Sequence, residues 1–297
     1  MTKPIISPVE RELLIAELAI VEKLRDTRHG NNEIYIFDAA TAPNLMREVG
    51  RLREKAFRAG GGGTGNELDI DADDTAAGGY HQLIAWDPST QEIIGGYRYV
   101  ICTTPDQKHL STEHYFRFSQ KFRDNYLPNT LELGRAFVSP EIEMIKGVYA
   151  LDNLWDGIGA LIKLNSRIKF LLGKVTMYSS YNLEARDMLF YFLRKHYPGS
   201  EGLVEGLDPI TMDIDNEKYG AIFTGENFAE DYKILRTRIR DYNEVIPPMF
   251  NAYINITNAM HIFDSVHNHE LGDVYETGIL VPVATIHTDK YERYTTW

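Results

Sequence analysis

Two charged side chains interrupt a run that otherwise suits a buried strand. Leu131, Leu133, Ala136 and Val138 supply the apolar positions, and Glu132 and Arg135 stand among them. A break at Pro140, Lys146 and Gly147 follows, then an apolar helical pattern through Leu151, Leu154, Trp155, Ile158, Leu161 and Ile162. A strand bearing a carboxylate and a guanidinium, then a turn, then a helix whose N-terminus can face an anion, is suited to hold an acyl donor. Glu132 would be the proton acceptor: desolvation raises the pKa of a carboxyl in an apolar strand, while Arg135 pulls it down. Residues three apart on a regular strand point to opposite faces. A bulge is therefore required if both are to meet one ligand. The competing reading pairs Glu132 with Arg98, or Arg135 with Asp71 or Asp74, in a structural ion network, because buried charges are usually paired.

Other candidates carry less chemistry. Asp69, Asp71, Asp73 and Asp74 alternate as in a calcium loop but lack its glycine and terminal glutamate. They suit a rim that attracts a cation or holds a substrate ammonium. The glycines at 60–63 precede no Lys-Ser/Thr pair and no immediate helix, so they read as a mobile loop. His261, His267, His269 and Asp273 lack zinc-site spacing and read as a solvated loop; no metal is expected. Cys102 reads as packed, His81 as structural, and there is no Gly-x-Ser-x-Gly nucleophile elbow.

The elements that must position these residues follow from periodicity. Leu14, Leu18, Val21 and Leu24 share a helical face, predicting an N-terminal helix within 1–30. Strands are expected at 33–37, 81–87, 92–100, 131–138, 168–178 and 279–286, the second and third forming a hairpin that carries Arg98. Helices are expected at 41–58, 151–162, 182–198 and 229–242. The aromatic segment 109–129 should cover a sheet edge or an apolar channel. The order is α/β (α+β) with hairpins, unlike strict βαβ alternation, in one domain over 31–297 elaborated from about 200. A formal charge of −12 excludes a broad nucleic-acid face and strong attraction to anionic lipid. The single cysteine, the lack of a signal-like start and the lack of a bilayer-length apolar run place the expected setting in the cytoplasm.

Taken together, LREKAF (52–57), DADD (71–74), IIGGYRYV (93–100), ELGRAFV (132–138), LDNLWDGIGALI (151–162), FLLGKVTMY (170–178) and IPP (246–248) occur in the order of a known family. The chain resembles the GNAT-type N-acyltransferases, and within them the hemolysin-like amino-acid N-acyltransferases that make ornithine and glycine lipids, relatives of the acyl-homoserine-lactone synthases. The resemblance implies a central mixed, mainly antiparallel sheet flanked by helices. It implies that Glu132 and Arg135 belong to the reaction centre. Arg98, Asp71 and Asp74 would hold the active-site loop or the amine, with Arg53, Phe57 and Trp155 around the acceptor. Phe137, Val138, Lys146, Gly147, Asp152 and Asn153 would meet the acyl donor, the helix starting near Asp152 and presenting its N-terminus to a phosphopantetheine arm.

The implied activity moves a (3-hydroxy)fatty acyl group to the α-amine of glycine, or else of ornithine, with no tightly bound cofactor. The general Arg/Gln-x-x-Gly-x-Gly/Ala pyrophosphate loop is missing, with Lys146-Gly147 its only remnant, which favours acyl carrier protein over coenzyme A as donor. An acidic carrier requires a basic patch, for which Arg51, Arg53, Lys55, Arg58, Arg117, Lys121, Arg123, Lys146, Lys163 and Lys169 are candidates. Peripheral contact at the inner face of the membrane is compatible with this role. The alternatives are a homoserine-lactone-synthase-like enzyme and a non-enzymatic, membrane-binding hemolysin-like protein.

Overall fold

Backbone pairing organises the chain around eight strands. A computed structural model describes residues 2–198 and 201–297. The hairpin expected at 81–100 is present as β3 (His81–Asp87) and β4 (Glu92–Ile101) once β1 (Glu22–Asp26) and β2 (Glu33–Phe37) are counted before it. A short strand, β5 (Phe116–Phe118), pairs apart from the main sheet with β8 (Val204–Gly206). The main sheet continues with β6 (Thr130–Val138) and β7 (Phe170–Met177), and ends with β10 (Val274–Pro282) and β9 (His261–Asn268). Its order is β1-β2-β3-β4-β6-β7-β10-β9, antiparallel throughout except for the β6–β7 pair. The expected mixed, mainly antiparallel sheet is observed.

The first thirty residues do not form one helix. α1 is Arg11–Leu18, and Val21 and Leu24 fall on or beside β1. Lys23 pairs across the ladder with Glu33, and Arg25 turns inward to the Tyr294 carbonyl. Pairing with β2 supplies non-local bonds that override a local helical period. The histidines expected in a solvated loop lie elsewhere: His261 and His267 are residues of β9, and His269 begins a 3-10 turn where it bonds Asp273.

Each sheet face has its own cover. One face presents Leu83, Tyr97, Leu131, Leu133, Leu171 and Val281 to α5 (Met144–Leu164), α6 (Leu183–His196) and α9 (Pro248–Ile256). The helical segments α7 (Asn216–Ile222) and α8 (Phe228–Arg240) extend this layer. The C-terminal α10 (Thr288–Thr295) closes over α5 so tightly that a Cβ on Gly159 would lie 2.2 Å from the Tyr294 carbonyl oxygen. The opposite face packs on α2 (Pro43–Ala59) through Ile84, Trp86 and Ile93, and on the 109–129 segment with its short α4 (Gln120–Asn125). The aromatics Phe116, Phe118 and Phe122 fill a second core with Leu172, Phe263 and Leu280. They cover a sheet face, where an edge or a channel was expected. Cys102 is buried in the same cluster.

Candidate active site

The site begins where β6 and β7 part. Their parallel pairing runs from Thr130 with Phe170 to Leu133 with Gly173 and stops, although β6 continues to Val138 and β7 to Met177. Beyond that point the two strands leave a cleft whose backbone edges are free to meet a ligand. On the other side of β6 the ladder with β4 skips: Gly96 faces Phe137 and Arg98 faces Gly134. The extra residue is a bulge, and within it Arg135 adopts φ +50°. A side chain in the left-handed region costs about 1–2 kcal/mol. The bulge required to bring Arg135 and Glu132 to one ligand is therefore present.

A cavity of about 310 Å³ occupies the cleft. One part of its wall is polar, with Asp71, Arg98, Ser111, Tyr115, Arg135, Lys174 and Glu276. The other is apolar, with Phe57, Phe137, Val138, Leu151, Pro248 and Met249. The 246–256 segment thus contributes apolar wall, whereas the 109–129 segment contributes Ser111, His114 and Tyr115 to the polar part.

Register explains why the polar groups converge. Gln82, Arg98 and Gly134 are cross-strand neighbours, as are Val100, Glu132, Leu172 and Leu280, so all face the same side of the sheet. Lys174, two residues after Leu172, faces that side too. Glu132 is fully buried and stands one layer behind the cavity wall. Its Oε1 accepts hydrogen bonds from the Thr112 amide (2.9 Å), the Thr112 hydroxyl (2.5 Å) and the Ser111 hydroxyl (3.3 Å), and its Oε2 is buried with no partner. The Ser111 hydroxyl also accepts from Lys174 Nζ at 2.9 Å and from Tyr80 at 3.2 Å. Ser111 is therefore the link between Glu132 and the cavity.

The second feature is a network of three arginines and three aspartates. Asp71 caps the one-turn helix α3 (Ala72–Thr75), and its side chain and that of Asp74 each accept the other's backbone N–H. Arg98 donates to Asp71 at 2.7 Å, approaches Asp74 at 3.2 Å, and lies over the Tyr80 ring. Arg135 reaches Asp69 at 3.1 Å and Asp71 at 3.6 Å. Arg53, with no exposed surface, donates to both Asp74 oxygens and to Gln82. Burial opposes ionisation of Asp74, but Arg53 and Arg98 outweigh it and hold the carboxyl below the usual range. At Asp69 burial wins and the pKa is raised. The ion network named as the competing reading thus exists for Arg135 and the aspartates, whereas Glu132 has no arginine partner.

The expected site residues separate by position. Arg135, Arg98, Asp71, Phe57, Phe137 and Val138 line the cavity, and Glu132, Arg53 and Asp74 stand behind it. Trp155 lies in the core, T-shaped against Tyr253 and tilted against Tyr294. α5 begins at Met144, so Asp152 is inside the helix, where it holds Arg293 and the Tyr294 hydroxyl instead of facing a ligand. Asn153 is buried beside it in sequence. Lys146 is tied to Asp87 and Thr90 on the β3–β4 turn, and Gly147 is a helix residue. Neither lines the cavity. The basic patch also largely dissolves: Arg51, Arg53, Lys55, Arg58, Arg123 and Lys146 are held by internal carboxylates. Arg117, Lys121, Lys163 and Lys169 remain exposed. Among the described residues no cluster of three or more His, Cys, Asp or Glu could hold a metal ion, and no helix is long and apolar enough to cross a membrane.

Ser111, Thr112, Tyr115, Lys174 and Glu276 were not anticipated. Lys174 carries the same signal as Glu132, a charge inside an apolar strand (FLLGKVTM). The others needed the tertiary fold, because nothing in their own segments distinguishes them.

Residues 52–152, from α2 through the cleft to the first turns of α5, match the family model described as an acetyltransferase (GNAT) domain. Taken with the relatives that follow, this makes the chain an acyltransferase that uses an acyl-donor co-substrate. It belongs to the family of the glycine N(alpha)-acyltransferases of Bacteroides thetaiotaomicron and Phocaeicola vulgatus, with which it is 48% and 44% identical. Each match spans 98% of this chain, and 89% and 92% of the respective relatives. The crystal structure of the acyl-homoserine-lactone synthase LasI aligns over 61% of this chain and 84% of that one, at 16% identity and a TM-score of 0.35. Family membership displaces the non-enzymatic alternative.

Proposed function

We propose that this N-acyltransferase transfers a 3-hydroxylated fatty acyl group from acyl carrier protein to the α-amine of glycine, in the cytoplasm, as a step of aminolipid synthesis. The observation that carries the reading is the cavity between β6 and β7, polar on one wall and apolar on the other. The apolar wall of Phe137, Val138, Leu151 and Met249 suits the acyl chain, and the polar wall suits a small zwitterion. Glycine as acceptor is supported by the relatives' names.

The ammonium first gives up one proton to solvent; the neutral amine then attacks the thioester carbonyl, the C–N bond forms, the C–S bond breaks, and a second proton leaves the nitrogen. Glu132 takes that proton on Oε1 through the Ser111 hydroxyl, which donates to that oxygen and receives the amine proton as the substrate replaces Lys174 or Tyr80 as donor to Ser111. The thiolate of the carrier is reprotonated on release. Arg98 and Arg135 position the acceptor against the cleft through Asp71.

The preference for a carrier protein rests on the β6–α5 connection. Glu143 is at the N-cap of α5 and Lys146 is committed to Asp87, so the start of that helix offers a carboxylate and no uncommitted Lys146 to a pyrophosphate. The test is acylation by the purified chain with 3-hydroxyacyl carrier protein or 3-hydroxyacyl coenzyme A and an amino-acid mixture, read by mass spectrometry. The expected product is N-acylglycine from the carrier-bound donor. Acylation of another amino acid, or equal use of the coenzyme A thioester, would overturn the corresponding part.

A further inference from the structure

Three cations face the cavity from the sheet and its bulge, and two of them are already engaged. Arg98 is held by Asp71 and Asp74, and Arg135 by Asp69 and Asp71. Among the described residues, Lys174 has no carboxylate within ion-pair distance. Its Nζ donates to the Ser111 hydroxyl at 2.9 Å and lies 5.6 Å from the centre of the Tyr115 ring. It is also the first β7 residue beyond the last β6–β7 pair, at the apex of the cleft. An ammonium carries three donors, and one bond to a hydroxyl leaves charge and donors uncommitted.

Resting on the reading of an amino-acid acceptor given above, we infer that Lys174 is the anchor for the acceptor's carboxylate, and so the residue that selects α-amino acids over amines lacking a carboxylate. Glycine's two ends are separated by one methylene. A carboxylate held at Lys174 therefore sets the nitrogen beside Ser111, the entrance to the Glu132 relay. The substrate ammonium then meets the acidic groups of the same wall, Asp71 and Glu276.

The charges around Lys174 agree with this role. Burial is the largest influence and lowers the ammonium to about 8; Glu132 and Glu276 oppose it, and Arg98 and Arg135 add to it. Tyr115 lies beside it and donates to Asn268 and Glu270, and His114 lines the same cavity. A bound anion stabilises the charged form. Anion affinity should therefore be full below about 8 and fall as pH rises through it.

The test compares glycine with glycinamide, which keeps the amine and loses the carboxylate, using the full chain and 3-hydroxyacyl carrier protein. Wild type should prefer glycine in kcat/KM. K174M should raise KM for glycine by about 10- to 100-fold, with kcat at saturation changed only a few-fold, and bring the glycine-to-glycinamide ratio toward one. K174R should keep most of the preference. An unchanged ratio in K174M overturns the assignment. Acetate binding by calorimetry needs neither turnover nor the variant: it should weaken in wild type as pH passes about 8, and pH-independent binding overturns the assignment as well. If wild type acylates no amino acid, the proposed acceptor class fails, while the acetate titration still decides whether Lys174 is an anion site.

Discussion

Glu132 spends one oxygen on Thr112 and Ser111 and keeps the other buried without a partner. Glu132→Gln preserves shape and should lower kcat about 100-fold, within the range for general bases. A folded variant with full turnover would remove Glu132 from the reaction. Arg53 is a different case, because among the described residues its hydrogen bonds go to Asp74 and Gln82 and it does not line the cavity. Arg53→Met keeps the volume but leaves Asp74 short of one counter-charge, and should cost about 3 kcal/mol of stability. Urea denaturation measures this directly, and an unchanged midpoint would show that Arg98 alone neutralises Asp74.

At the scale of elements, the splay of β6 from β7 creates the cleft, and the bulge at Arg135 aims a guanidinium into it. The helix that follows depends on α10 for its cover. Gly159→Val would drive a branched side chain into the Tyr294 backbone, where a Cβ already has no room. The expected loss is about 1–3 kcal/mol, seen as a lowered melting temperature, because overpacking is relieved only by shifting backbone. A variant melting with wild type would mean that α10 moves aside without loss. The early start of α5 has a related cause. Pro140 supplies the chain break, and Gly147, costing about 1 kcal/mol in a helix interior, is carried by the buried Leu154, Ile158 and Leu161 that follow.

Across the whole molecule, acid should unfold the protein by discharging paired carboxylates. Hydrogen bonds from Arg51 and then Lys55 hold Glu141 at about 2, against burial. At Asp87 burial works against the charge, but Lys146 and Ser89 outweigh it and also hold it at about 2. Both folded values lie below the unfolded ones, so their stabilisation is complete above about pH 4.5 and is lost as pH falls toward 2. Urea midpoints at pH 6, 4 and 2.5 should fall in that order, with a shallower fall in an Asp87→Asn variant. Equal slopes would place the acid sensitivity elsewhere.

The sequence alone determined the elements whose signals are local. The 81–100 hairpin, the strand bearing Glu132 and Arg135, the need for a bulge between them, and the helix after Asn182 all follow from periodicity, turn residues and caps over a few positions. It also showed which segment would carry the chemistry, because a charge inside an apolar strand must be partnered or used. Tertiary structure alone decided which of those it was. Arg135 and Arg98 were drawn to aspartates on α3 and the loop before it, Trp155 and Asp152 were turned into the core and onto α10, and Lys174 was left without an ion-pair contact among the described residues. Those outcomes depend on pairing between segments distant in sequence, and no local period encodes which carboxylate a buried cation will meet.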